Sequence, residues 1–190
     1  MNTKFEFTGE TKVHFGVTLK RIRALVAIGS LVAAGELGGW IEKEENLWVS
    51  GNAWVYGDAR VYGDAQVSGN AQVSGDARVY GDAQVYGNAR VSGDARVYGN
   101  AQVSGNAWVY GKIIVATRSD GYTFLVAPTP EGPRIIAGCR YFTFDQGVEH
   151  WTKTRGGTQL GDESLLIVNH LKAMAELNGF MEPVKPEATS

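Results

Sequence analysis

The sequence predicts a mainly β protein whose centre is a triangular parallel solenoid, and three observations carry that prediction. First, a six-residue unit runs without a gap from Val49 to Trp108, as VSGNAW, VYGDAR, VYGDAQ, VSGNAQ, VSGDAR, VYGDAQ, VYGNAR, VSGDAR, VYGNAQ and VSGNAW. Second, valine and alanine sit two apart in every unit, the alternation of a short strand, and a Gly-Asp or Gly-Asn pair follows each. Such pairs tolerate the left-handed backbone of a tight corner, so each unit reads as one strand and one corner. Third, every third unit matches better than its neighbours do. One corner carries Asn52, Asn70, Asn88 and Asn106, the next Asp58, Asp76 and Asp94, and the third Asp64, Asp82 and Asn100. Eighteen residues therefore make one coil with three walls, and equivalent residues stack about 4.8 Å apart. The repeat is long enough for just over three coils, a prism about 16 Å tall. Its core is thin, made of inward valine and alanine stacks.

A stack of this kind exposes strand edges at both ends and needs covers there. Residues 1–47 read as a β-rich N-terminal cap. Phe5 and Phe7 alternate with polar neighbours, Thr8-Gly9-Glu10 reads as a turn, and Val13 and Phe15 alternate again, which predicts a hairpin. From Leu19 the pattern fits either a helix face or a strand face; the β-branched content and the Gly29-Ser30 that follows favour strand. Gly35, Gly38 and Gly39 loosen the chain before Trp40-Ile41 leads into the repeat, residues 48–111.

Residues 112–181 read as a small α+β domain. KIIVATR and YTFLVAP are strands joined by Ser119-Asp120-Gly121, and Pro128, Pro130 and Gly132 mark a turn before PRIIAG. Thr143 and Gln146 form a capping box for a short helix weakened by Gly147. A last helix is expected after Asp162, ending at Asn178-Gly179, with an apolar stripe of Leu165, Val168 (or Ile167), Leu171 and Met174. The Pro-rich polar tail, 182–190, reads as disordered.

Composition narrows the function. The 190 residues carry a net charge of −2 and one cysteine, Cys139. General attraction to nucleic acid or membrane is not implied, an internal disulfide is impossible, and a reducing cytoplasm is the expected setting. The opening MNTKFEFTGE has no basic segment followed by an apolar run, so no secretory signal is read there. ALVAIGSLVAAG is too short and too interrupted by glycine to span a bilayer.

On these residues the hexads resemble the left-handed parallel β-helix of hexapeptide-repeat acyltransferases. The whole chain resembles phage and prophage hexapeptide-repeat proteins of obscure role, including the lead-in LKRIRALVAIGSLVAAGELGGWIEKEENL and the trailing GCRYFTFDQGVEHW. The left hand follows from the resemblance alone, because periodicity is silent on hand and parallel crossovers are otherwise nearly always right-handed. The same resemblance implies a bacterial host cell as the setting.

Two walls carry candidate binding residues. One aligns Arg60, Arg78 and Arg96 beside Tyr62, Tyr80 and Tyr98. Arginine reads phosphate and carboxylate, and tyrosine offers a stacking surface, so a nucleotide-like anion or an acidic protein could bind. Against this, each arginine follows an aspartate by two residues, which predicts neutralising Asp–Arg ladders of little energetic worth. The second wall places Trp54 and Trp108 at the ends of a column with Gln72 and Arg90. Exposed tryptophan on a flat sheet marks an interface, and a homodimer or homotrimer is the expectation, with packing against the caps as the alternative. Trp48 is expected to be buried against the N-terminal cap. Lys20, Arg21 and Arg23 form a small basic cluster, read as solvated.

Enzymatic readings have less support. Hexapeptide acyltransferases are expected to carry a histidine base on a coil, yet no histidine lies between His14 and His150. The three present, His14, His150 and His170, lack metal-ligand spacing, so neither metal nor other cofactor is expected. Cys139 with His150 is a possible nucleophile–base pair, but a lone cysteine after IIAG reads as a small core residue. Ice binding is disfavoured because residues 49–111 contain no threonine. The expected function is a non-catalytic phage-type solenoid scaffold that binds a protein partner or itself. The alternatives are an inhibitor or sponge of host defence that holds a nucleotide-like anion, and a diverged acyltransferase.

Overall fold

A computed structural model describes residues 2–183 of the chain; the tail read as disordered lies outside the described residues from 184 onward. The N-terminal segment forms β1 (Phe5–His14), β2 (Val17–Ala24) and β3 (Leu37–Ile41). The hairpin is present, but its turn is not at Thr8-Gly9-Glu10. That stretch is a bulge within β1, where the register shifts between Phe7 and Thr11. The chain reverses at Phe15-Gly16, both with positive φ (48° and 80°). A two-residue turn of that kind matches the twist of the flanking strands, and an aromatic at its first position masked it in the sequence. β2 bears out the strand reading as far as Ala24, with Leu19, Ile22 and Ala24 buried, but the strand ends there and Val26 is exposed.

Gly38 and Gly39 do not loosen the chain; they lie inside β3. A Cβ on Gly38 would stand 2.6 Å from Ile22 Cγ1 and 2.7 Å from the Trp54 ring. One on Gly39 would stand 2.6 Å from Val55 Cγ1. Glycine is used here because cap and coil approach too closely for any side chain.

The solenoid follows as β4 (Trp54–Val55), β5 (Arg60–Val61), β6 (Gln66–Val67), β7 (Gln72–Val73), β8 (Arg78–Val79), β9 (Gln84–Val85), β10 (Arg90–Ser92), β11 (Arg96–Val97), β12 (Gln102–Val103) and β13 (Trp108–Tyr110). They sort into three parallel walls: β3-β5-β8-β11, β6-β9-β12 and β4-β7-β10-β13. The eighteen-residue register holds throughout, with Arg60 opposite Arg78 and Arg78 opposite Arg96. Every valine of these strands, and the alanine that precedes each strand, is fully buried. The stacking starts before the first hexad: Ile41 pairs with Val61 and Leu47 bridges to Val67. That first coil is two residues longer than the rest, which hides it from a hexad search.

Backbone hydrogen bonds link the coils, such as Arg60 N–H to the Ala77 carbonyl at 2.9 Å and Arg78 N–H to Ala95 at 2.8 Å. One corner adds a side-chain ladder: Asn52, Asn70 and Asn88 each donate Nδ2–H to the Oδ1 of the asparagine one coil on, at 3.2, 3.0 and 3.1 Å.

Both ends are closed. Phe5, Ile22, Ile28, Val32 and Leu47 join the solenoid core at the N-terminal end. There Asn46 donates to the carbonyls of Gly63 and Ala65, and buried Lys4 donates to the carbonyl of Trp48. At the other end stands an antiparallel sheet of β14 (Ile114–Thr117), β15 (Thr123–Ala127), β16 (Arg134–Ala137) and β17 (Arg140–Phe142). β17 is absent from the sequence reading, its two-residue Gly138-Cys139 link too brief to signal a hairpin. Alternation along this sheet serves two cores. Leu125, Ala127 and Ile136 plug the last coil, while Phe124, Val126, Ile135 and Ala137 face the helices.

The helices are α1 (Phe144–Arg155) and α2 (Gln159–Leu177). The capping box is present, Thr143 N–H to Gln146 Oε1 at 2.9 Å and Gln146 N–H to Thr143 Oγ1 at 3.2 Å. α2 starts earlier than expected, because Thr158 caps it by accepting from Gly161 N–H. Its buried face is Ser164, Val168, Leu171 and Ala175, so Ala175 takes the place assigned to Met174. Buried Arg118 is held by Asp120 through two bonds of 2.9 and 2.7 Å, and by Ser164 Oγ at 2.9 Å.

Corner glycines set the coil spacing. Gly69 has φ +67°, and a Cβ there would stand 3.0 Å from the backbone nitrogen of Gly87. Gly57 has a similar φ of +56° with nothing within 4 Å. Gly57→Ala should therefore cost about 1–2 kcal/mol, the backbone penalty alone, and Gly69→Ala about 2–4 kcal/mol, because a clash between coils is added. Urea unfolding of the two variants beside the parent protein measures the difference.

Candidate functional site

The first wall brings together the arginine and tyrosine residues singled out from the sequence. Alternation buries Val61, Val79 and Val97 and turns the residues on either side outward, so Arg60, Arg78 and Arg96 form one column and the tyrosines the next. Tyr62 and Tyr80 stack at 5.1 Å with 3° between planes, and Tyr80 and Tyr98 at 5.5 Å and 16°. His14 on the hairpin closes the column edge-on, 5.8 Å from Tyr62. The ring faces therefore cover one another. Ring edges and phenol hydroxyls are what the wall presents, which weakens the expectation that ligand bases stack on each tyrosine.

The expected Asp–Arg neutralisation is not met. Among the described residues, Arg60, Arg78 and Arg96 form no salt bridge, and neither do Asp76 and Asp94. Each aspartate sits in the corner turn two residues before its arginine, and the arginine side chains extend without meeting those carboxylates. Arg60 Nε is buried without a partner. Three guanidinium groups one rung apart thus repel each other, by about 1 kcal/mol per neighbouring pair at the dielectric constant of water.

Further cations stand at the upper end of the column and on the rim of the groove at its lower end. Trp40 lies one rung above Arg60, with Lys12 Nζ 4.0 Å and the Arg21 guanidinium 5.2 Å from its ring. Arg21, read from sequence as part of a solvated cluster with Lys20 and Arg23, belongs to this wall. The three do not act as one patch: Lys20 lies over the Phe7 ring and Arg23 pairs with Glu6. Burial and the nearby Arg60 push the Lys12 ammonium below its ordinary pKa. Burial, Arg60 and Arg78 do the same to His14. Burial pushes the Asp58 carboxyl up, but Lys12 and the Trp40 N–H outweigh it and hold it below the usual value. At the lower end, Lys112 joins Asp76, Arg78, Tyr80, Asp94, Arg96 and Tyr98 around an open groove of about 610 Å³.

On the second wall the register places Trp54, Gln72, Arg90 and Trp108 in one column, as the repeat requires. Trp54 is nevertheless fully buried, because the N-terminal cap covers it: Phe5 meets its ring edge-on at 6.5 Å and Gly38 lies against it. It belongs to the core and leaves the proposed interface. Trp108 stays partly exposed under the Arg90 guanidinium at 5.5 Å. Trp48 departs in the opposite sense and is half exposed, since Leu47 takes the inward place beside Val67.

Cys139 is exposed in the β16–β17 link, not a core residue. His150 packs between Phe142 (5.1 Å) and Trp151 (5.2 Å), so no nucleophile–base geometry links the two. Among the described residues no group of three or more His, Cys, Asp or Glu is placed to hold a metal ion. Nor is any described helix long and apolar enough to cross a membrane.

A family model described as YdcK Beta solenoid repeat matches the chain at residues 53–69, 65–81, 71–87, 83–99, 95–111 and 101–115. These stretches overlap and span about a third of the chain, all within and just beyond the solenoid. No curated protein matches the chain. The repeat thus identified is a scaffold-type β-solenoid, a rigid column that displays side chains on flat walls.

Sequence reasoning missed Lys12, Trp40 and Lys112 as members of the site, because none lies in the repeat. Only the fold brings Lys12 and Trp40 to the arginine column and Lys112 to the groove beside it. The two tryptophans of the N-terminal end separate cleanly in energy. Trp54→Ala should destabilise the protein by about 3–5 kcal/mol, whereas Trp48→Ala should cost less than about 1 kcal/mol. Chemical denaturation of both variants, followed by circular dichroism, checks this.

Proposed function

We propose that the protein is a non-catalytic scaffold that holds a protein partner bearing an acidic surface against the Arg60–Arg78–Arg96 wall. One observation carries the reading: three aligned guanidiniums have no carboxylate partner among the described residues and stand in a cationic field. Arginine is suited to this role, because its planar fork grips a carboxylate with two parallel bonds. The surrounding cations steer an acidic partner and speed its encounter. The segments resembling phage and prophage proteins support a phage-encoded setting inside a bacterial cell.

Three further features favour binding over catalysis. The coils carry no histidine, the groove is open, and the tyrosine faces are occupied by one another. Self-assembly is less supported on the tryptophan wall, where Trp54 is covered by the cap.

Fluorescence anisotropy with a labelled twenty-residue peptide of glutamate and aspartate tests the proposal. Binding at 50 mM salt should weaken at least tenfold by 300 mM salt and disappear in Arg78→Ala/Arg96→Ala protein that keeps the parent circular dichroism spectrum. Unchanged binding in that variant, or tighter binding of a nucleoside triphosphate than of the peptide, overturns it.

A further inference from the structure

Resting on that reading, we infer that the partner segment seated on the wall is an α-helix lying along the solenoid axis, with acidic residues at i, i+3, i+7 and i+10.

The argument begins with spacing. Rungs recur about every 4.8 Å, so successive arginines stand at about 0, 4.8 and 9.6 Å along the axis, and a fourth position at about 14.4 Å. A helix rises about 1.5 Å per residue, so residues i, i+3, i+7 and i+10 fall at about 0, 4.5, 10.5 and 15 Å on one face. The two series stay within about 1 Å over all four positions. The fourth position falls at the Trp40 rung next to Arg60, where Lys12 and Arg21 lie over the ring, while Lys112 lines the other end of the groove one coil beyond Asp94. An extended peptide laid along the axis presents a residue to the same side only about every 6.6 Å and loses register after one step.

Width agrees with length. The wall runs from an aspartate column at one corner (Asp58, Asp76, Asp94) through the arginines to the tyrosines at the next corner. Aspartate and tyrosine of one rung are four residues apart, about 13 Å along the strand. A helix with its side chains is about 10–12 Å across, so it fits between the two columns.

The columns also specify its flanks. Asp76 and Asp94 have no ion-pair partner within the described chain, and they favour lysine or arginine on the side of the helix that faces them. The packed ring edges of Tyr62, Tyr80 and Tyr98 favour apolar residues on the other side. The partner helix therefore carries basic, acidic and apolar stripes side by side. Reversing the order of the stripes around the helix would set like charges against each other.

The test uses two labelled sixteen-residue peptides of identical composition and matched helicity by circular dichroism. One carries glutamate at i, i+3, i+7 and i+10 with lysine and leucine flanks; the other distributes the same residues evenly around the helix. Anisotropy with the full chain should show the patterned peptide binding at least tenfold more tightly, and Arg78→Ala should remove most of that margin. Equal binding of the two peptides, with both lost in Arg78→Ala/Arg96→Ala protein, overturns the helical partner and leaves the acidic-partner reading intact. Failure of both peptides and of the glutamate–aspartate peptide overturns the two together.

Discussion

Everything in this molecule depends on coils that stack without slipping. Each strand of the solenoid contributes only two or three residues, so no strand is stable by itself, and the hydrogen bonds that hold it run to the strand eighteen residues away. The valine and alanine stacks remove water from the centre, but they are uniform and could tolerate a shift. The corners do not. Glycine sits over glycine in left-handed backbone, and on one edge asparagine bonds to asparagine in an unbroken line. A slip of one hexad would set asparagine over aspartate and break that line. Hydrophobic burial thus supplies the drive, and corner chemistry supplies the register.

Register turns a sequence repeat into a surface. Because identical residues must lie above one another, an arginine that recurs every eighteen residues becomes a column of like charge. A protein with a free choice of surface residues disperses such charge. Here the aspartates two residues before each arginine form no ion pair with it, and the cap brings Lys12 and Arg21 to the same wall. Its unpaired charge is what connects the fold to the binding we propose. The closing elements also complete the core: the N-terminal hairpin covers Trp54, and the C-terminal sheet presents one face to the last coil and the other to its helices.

The solenoid was almost wholly legible from sequence, since its determinants are local and repeated. The Ala-x-Val alternation, the Gly-Asp and Gly-Asn corners and the eighteen-residue recurrence of Arg60, Arg78 and Arg96 each state a piece of the geometry. The ends were less legible, because their determinants are contacts between distant segments. Nothing near Trp54 in sequence says that Phe5 and Gly38 will cover it. Trp48 looked fit for burial until the longer first coil placed Leu47 inward. Gly38 and Gly39 read as flexibility when they mark a close approach. The arginine column was visible in the repeat, whereas Lys12 and Trp40 reach it, and Lys112 reaches its groove, only through the fold.

Disulfide trapping between rungs tests this geometry most directly. With Cys139 replaced by serine, cysteines at Gln66 and Gln84 stand on neighbouring rungs of one wall, about 4.8 Å apart, within the 4.4–6.8 Å range that a disulfide spans. Cysteines at Gln66 and Arg78 stand on different walls. Mild oxidation should join the first pair within the monomer and leave the second pair reduced. Joining of the second pair in preference to the first would contradict the eighteen-residue coil and the aligned arginine wall with it.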